Sequence, residues 1–273
     1  MPQHPTRIPH LPPSLHYLPS FITPSEESTL LTTITSQPIP KWTILSHRRL
    51  QSHPSTLSKS NTLITAPLPA WLECLVPRIE GAVDDGDGGV EVNLNDLGED
   101  GRVEGTDKGK GIWEKTKHMR PNHVLINEYK PGEGIMPHED GPAYEPVVAT
   151  VSLGGAVVLE VRRKRVDGEE EKEEEGEEGE GRDGGKEKPV ARILLEPRSL
   201  FITTRTMYTN FLHSISPIEV DEDLGPETIA NWELLGDREM YKDGRNVRVT
   251  RTSLTYRDVT RVVKVGGLLG GRR

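Results

Sequence analysis

Val147-Val148-Ala149-Thr150-Val151-Ser152-Leu153-Gly154-Gly155-Ala156-Val157-Val158-Leu159-Glu160-Val161 is a pair of β-branched runs joined by two glycines. Branching at Cβ stiffens χ1 and suits a pleated surface better than a helix. Gly-Gly supplies the positive φ that a tight hairpin needs. The same signal recurs on either side. His123-Val124-Leu125-Ile126-Asn127-Glu128-Tyr129 reads as a strand closed by the turn residues Pro131-Gly132-Glu133-Gly134. Ala191 to Leu195, Ser199 to Thr203 and Arg248 to Tyr256 read as three more strands. Many short strands with Gly/Pro turns indicate a sandwich or jelly roll.

Upstream, Leu18 to Thr23 reads as a short strand leading into a helix. Thr23 or Ser25 is placed to cap it, and Leu30, Leu31 and Ile34 fall at helical spacing. Trp42 to Leu45 reads as a strand, His47-Arg48-Arg49 as a basic turn, and Pro69 to Ile79 as a short helix. Residues 1–13, rich in Pro and His, read as disordered, and residues 266–273 as a flexible tail. One domain, 14–265, lies between them. It carries Gly- and acid-rich insertions at 83–111 and 167–188 and a polar stretch, 216–246, read as a long loop.

Those insertions hold most of the negative charge. They carry net −6 and −8 of an overall −9, which leaves a mildly basic scaffold, so charge is neutral evidence on partners. The single cysteine, Cys74, excludes an intramolecular disulfide and a Cys-rich zinc site, and its apolar neighbours predict a small buried hydrophobe. No apolar run has the length of a membrane span, so a soluble intracellular protein is expected.

The strongest local chemistry is Pro137-His138-Glu139-Asp140. On a strand, positions i and i+2 share a face, so His138 and Asp140 point at one locus. His213 follows after three strand-like segments. Two histidines and one carboxylate on one side of an ion leave its other side open, which suits non-haem Fe(II). Alone, H-x-D is weak in a chain with nine histidines, and His213 reads equally as a packed strand-end residue. A second constellation weighs in. Period 2 sets Arg251, Ser253, Thr255 and Arg257 on one face of the last strand. Two arginines facing a jelly-roll interior need anionic partners, and a dicarboxylate would supply them. Asn127 and Tyr129 add two polar side chains on one face of an earlier strand.

The order N-x-Y, P-G, H-x-D, a later His and a final R-x5-R resembles the AlkB dioxygenases. The stretch from Pro121 to Pro142, with Pro40-Lys41-Trp42-Thr43 and Leu195-Glu196-Pro197-Arg198-Ser199-Leu200, resembles the AlkB homolog 6 group. The likeness covers roughly residues 17–262, interrupted by the acidic insertions. It implies a mainly β fold with flanking helices, a double-stranded β-helix (jelly roll) with an N-terminal α/β lid extension. It implies Fe(II) on His138, Asp140 and His213, with 2-oxoglutarate held by Asn127, Tyr129 and Arg251. Arg257 would lie near the cosubstrate's 1-carboxylate and Asp140. Ser253 stands where the bacterial pattern has Asn. The implied activity is O2-dependent oxidative demethylation of a single-stranded or alkylated nucleic acid, by a monomer of the cytoplasm and nucleus. Tyr144, His47, Arg48 and Arg49 are candidate substrate contacts. Two other readings stand beside it: a protein side-chain hydroxylase or demethylase on the same iron site, and a non-catalytic binding module.

Overall fold

The structure, a computed structural model, describes residues 4–9, 11, 14–82, 111–164 and 189–264. The insertions expected at 83–111 and 167–188 lie outside the described residues except for Gly111, as does the tail 266–273. In chain order the elements are strands β1 (Thr6–Arg7) and β2 (Leu15–Leu18), helix α1 (Pro24–Thr35), strands β3 (Thr43–Leu45), β4 (Arg48–His53) and β5 (Thr62–Thr65), and helices α2 (Ala70–Glu73) and α3 (Val76–Glu80). Then come β6 (His123–Tyr129), β7 (Ile135–His138), β8 (Tyr144–Gly154), β9 (Val157–Arg163), β10 (Ala191–Leu195), β11 (Leu200–Thr204), α4 (Arg205–Asn210), β12 (Phe211–Ile215), β13 (Val220–Asp221), β14 (Asn246–Val247), β15 (Arg251–Val259) and β16 (Arg261–Lys264).

Two antiparallel sheets form the body. The larger has the order β1-β2-β11-β8-β15-β6-β4-β3, the smaller β10-β9-β12-β7. From β6 to β12 the chain crosses repeatedly between them, and β15 returns to the larger sheet between β6 and β8. That winding is the double-stranded β-helix expected from the sequence.

The sequence explains the details. α1 starts at a capping box. Thr23 Oγ1 accepts from the Glu26 amide at 3.2 Å, and Glu26 Oε2 accepts from the Thr23 amide at 2.7 Å. Such a cap stabilises a helix by about 1 kcal/mol. The buried face of α1, Leu30 and Ile34, joins Leu72, Val76 and Ile79 against Val124, Ile126, Leu254 and Tyr256 on the outer face of the larger sheet. A second core fills the interior between the sheets and reaches Leu224, Ile229, Leu235 and Tyr241 of the 216–246 segment. Gly154 has φ +78°, as the hairpin reading requires. A side chain there would also meet the Thr250 carbonyl oxygen at 2.6 Å. Backbone from the start of β15 therefore packs directly on the β8–β9 turn.

Several expectations change. The strand expected from Leu18 to Thr23 lies earlier, at Leu15–Leu18, and Arg48 and Arg49 of the expected basic turn open strand β4 instead. The segment 216–246 is no free loop. It carries two 3₁₀ turns and the β13–β14 ribbon. A buried ion pair, Arg248 Nη2 to Asp221 Oδ1 at 2.6 Å, and the buried Glu196 carboxylate, which accepts the Gly236 amide at 2.9 Å and the Asp237 amide at 3.1 Å, fasten it. Inside the stretch 1–13, Thr6–Arg7 pairs with β2 and Ile8 is buried. Pro69 to Ile79 forms two helices rather than one. Cys74 sits at their junction, where it is exposed rather than buried. Its partly desolvated thiol has a raised pKa, so it is no reactive thiolate. Among the described residues no helix is long and apolar enough to cross a membrane.

Candidate metal centre

Strand pairing assembles the expected ligands. His138 ends β7 and His213 lies in β12, and the two are direct cross-strand partners with ring centroids 4.3 Å apart. Opposed residues on antiparallel strands point the same way, so both imidazoles face the interior. Asp140 lies two residues beyond the end of β7, past the strand whose alternation was invoked for it, yet it reaches the same locus. One ligand atom from each of the three lies within 4.8 Å of the others. Its Oδ1 is 3.9 Å from His213 Nε2.

Each ligand is prepared by its surroundings. His138 Nδ1 is 2.8 Å from the Met136 carbonyl oxygen, which only accepts, so Nδ1 carries a proton and Nε2 is the ring nitrogen left to ligate. Burial lowers the His213 pKa to about 4, outweighing the pull of Asp140, so this imidazole is neutral near pH 7. Burial pushes the Asp140 carboxyl upward, but Arg257, His213 and His138 together outweigh it and hold it ionised below its ordinary range. Arg257 makes a short hydrogen-bonded ion pair with Asp140 Oδ1, and its guanidinium stacks 4.7 Å from the Tyr144 ring centroid. Two imidazoles and a fixed carboxylate, converging from one side, fit a non-haem Fe(II) ion.

The cavity beside them runs between the two sheets. From the larger sheet it is lined by Asn127, Tyr129, Arg251, Ser253, Thr255 and Arg257. The period-2 expectation for β15 therefore holds. Thr255 joins its arginines inside, while Leu254 and Tyr256 pack into the outer core. Arg251 is 4 % exposed and has no carboxylate partner among the described residues. Its Nη2 donates to Ser152 Oγ at 3.0 Å, and its Nε is buried without a partner. Burial drags its pKa down to about 10, so it stays charged at neutral pH. A buried, charged, half-satisfied guanidinium is what a dicarboxylate would complete.

Of the four substrate candidates, only Arg48 lines this cavity. Arg49 turns to the opposite face of the sheet and binds Glu128 through two hydrogen bonds, 2.7 and 2.8 Å. Tyr144 packs on Arg257, and His47 sits exposed in the β3–β4 turn. Sequence reasoning missed Tyr208 and Met207 of α4, which close the cavity near the metal ligands. The Tyr208 hydroxyl donates to the Gly141 carbonyl oxygen at 2.7 Å, tying α4 to the turn after Asp140. No motif marks them, because α4 is only six residues long and carries no periodic apolar pattern.

Comparison with known proteins agrees with this geometry. Residues 14–257 match the profile of the 2OG-Fe(II) oxygenase superfamily. A protein of Danio rerio named probable RNA/DNA demethylase ALKBH6 is 32% identical over 259 residues, covering 95% of this chain and 91% of its own. A Mus musculus protein named tRNA (carboxymethyluridine(34)-5-O)-methyltransferase ALKBH8 is 27% identical over 150 residues, which is 18% of its length. The solved structure of OsALKBH1 superposes with a TM-score of 0.50 at 15% identity, covering 91% of this chain and all of that one, and shares the fold.

Proposed function

The chain belongs to the 2OG-Fe(II) oxygenase superfamily, and from that premise we propose that this dioxygenase demethylates an alkylated nucleic acid oxidatively, at a base presented single-stranded or flipped out. Fe(II) and 2-oxoglutarate are its cofactor and cosubstrate. The observation that carries the reading is the His138–Asp140–His213 cluster opening onto a cavity whose far wall holds an uncompensated arginine. The name of the zebrafish relative, matched along nearly its whole length, supports the nucleic-acid substrate.

In this proposal His138 Nε2, Asp140 and His213 hold the ion. Arg251 grips the distal carboxylate of 2-oxoglutarate, with Tyr129 and Ser253 beside it, and Asn127 donates from its amide. When bound, Fe(II) with 2-oxoglutarate and O2 supplies an oxidant strong enough to hydroxylate a C–H bond, the cosubstrate leaving as succinate and CO2. The protein's own contribution is positional. Arg257 keeps Asp140 charged and fixed, Met136 holds the His138 tautomer, and the apolar lining of Leu159, Val161 and Phe201 keeps bulk water from the reacting carbon.

The test is succinate formation by the iron-loaded enzyme, measured against methylated single-stranded DNA and RNA and against methylated peptides. Turnover above the substrate-free rate is expected with a nucleic acid. Stimulation by peptides alone overturns the substrate and favours the protein-modifying reading.

A further inference from the structure

Arg48 is the one basic residue of the β3–β4 hairpin that reaches the cavity. Its Nε donates to Asn127 Oδ1 at 3.2 Å. Among the described residues no carboxylate pairs with it. Its neighbour Arg49 is employed quite differently, locked onto Glu128 on the other face of the sheet and stacked 3.9 Å from the Trp42 ring centroid. The hairpin is thus already fastened to β6 by Arg49 and by backbone pairing of Arg49 to His53 with Glu128 to Val124. Arg48 is not needed for that.

What Arg48 does do is choose the orientation of a primary amide. Asn127 is 7 % exposed and lies between Leu50 and Ser253 in the sheet. An amide offers one acceptor and one two-proton donor, and a 180° flip exchanges them. Only an acceptor can face the Arg48 Nε–H. That assigns the oxygen to Arg48 and leaves the Asn127 NH2, which makes no protein hydrogen bond among the described residues, as the group available to the cavity. A carboxylate accepts from NH2 and is repelled by a carbonyl oxygen, so this choice decides whether Asn127 helps or hinders an anionic cosubstrate.

We propose that Arg48 is a positioning residue for 2-oxoglutarate, acting through Asn127. By pinning the amide as a donor it makes cosubstrate affinity depend on the β3–β4 hairpin, which sits at the edge of the same sheet with Ile44 exposed. The proposal rests on the reading above that Asn127 holds the cosubstrate, and the experiment separates the two.

Calorimetry of 2-oxoglutarate binding to the Mn(II)-loaded full-length protein is run on Arg48→Ala, Asn127→Ala and the double variant. A positioning hydrogen bond of ordinary strength predicts a loss of affinity of roughly 3- to 10-fold in Arg48→Ala. In the Asn127→Ala background the same change should have no further effect, because nothing remains to be positioned. Mn(II) affinity and thermal midpoint should stay at wild-type values in Arg48→Ala, and Arg48→Met serves as a second truncation if the alanine variant is unstable. If Asn127→Ala binds the cosubstrate normally, the assignment of Asn127 falls and the proposal with it. If Asn127→Ala is weakened while Arg48→Ala and Arg48→Met are not, the assignment stands and positioning is overturned. If the losses add in the double variant, Arg48 acts on the ligand by its own charge, and action through Asn127 is again overturned.

Discussion

Burying a guanidinium with one nitrogen unsatisfied costs free energy, and Arg251 is in that position without a carboxylate partner among the described residues. The expected completion is a carboxylate, so Arg251→Ala should lose 2-oxoglutarate binding by 100-fold or more on the order of a desolvated charge-assisted pair, while Mn(II) binding persists. Arg251→Lys should fail nearly as far, because a point charge does not reproduce a planar fork. Calorimetry reads both quantities in one experiment, and wild-type cosubstrate affinity in either variant refutes the anchor. His138→Ala, Asp140→Ala and His213→Ala should each weaken metal binding. Asp140→Ala has the added penalty of leaving the buried Arg257 without its counter-charge, so it alone of the three should also lower the thermal midpoint.

At the scale of elements, the register of β7 on β12 matters most, since it sets His138 opposite His213. Gly134, just before β7, lies so close to β12 that an added methyl group would collide with the Ile215 carbonyl oxygen. Gly134→Ala is therefore expected to push the strands apart, costing about 1–3 kcal/mol of stability in a denaturant titration and weakening metal affinity in parallel. A stable variant with unchanged metal affinity would show that the pairing tolerates the shift. This part of the site was only half legible in the sequence. Alternation along β15 is local, so Arg251, Ser253 and Arg257 could be assigned one face from their spacing alone. The partnership of His213 with His138 is non-local; the order of motifs gave it, not periodicity. Nothing local announced that residues 216–246 are fastened, because the fastenings are single buried groups, Asp221 with Arg248 and Glu196 with two amides, contributed by residues far apart in the chain. Cys74 misled for a related reason. Its apolar neighbours predict burial only if the helix runs on, and the break between α2 and α3 turns it outward.

For the whole molecule, two histidines outside the metal centre set a pH limit. His53 on β4 and His123 on β6 are 2 % and 1 % exposed. Burial, aided by the charge of Lys41 for the first and Arg257 for the second, lowers their pKa values from 6.5 to about 4 and about 3. The unfolded chain takes up these protons below about pH 6.5, while the folded chain refuses them until far lower. Their contribution is therefore intact above that pH and declines as pH falls toward 4, by up to about 1.4 kcal/mol per pH unit for each group. Urea midpoints of the metal-loaded protein should drop between about pH 7 and pH 5, and a His123→Asn variant should show the shallower slope; equal slopes contradict the assignment. The same winding that builds the pocket also fixes when it can exist. β15 is the strip that joins β6 to β8, and it follows both of them in the chain. A polypeptide emerging from the ribosome owns H-x-D early, but lacks its third ligand until residue 213 is out and its guanidiniums until residues 251 and 257 follow. The three-ligand cluster and the anion-binding face of the pocket therefore come together only after the strands that carry residues 213, 251 and 257 have been made.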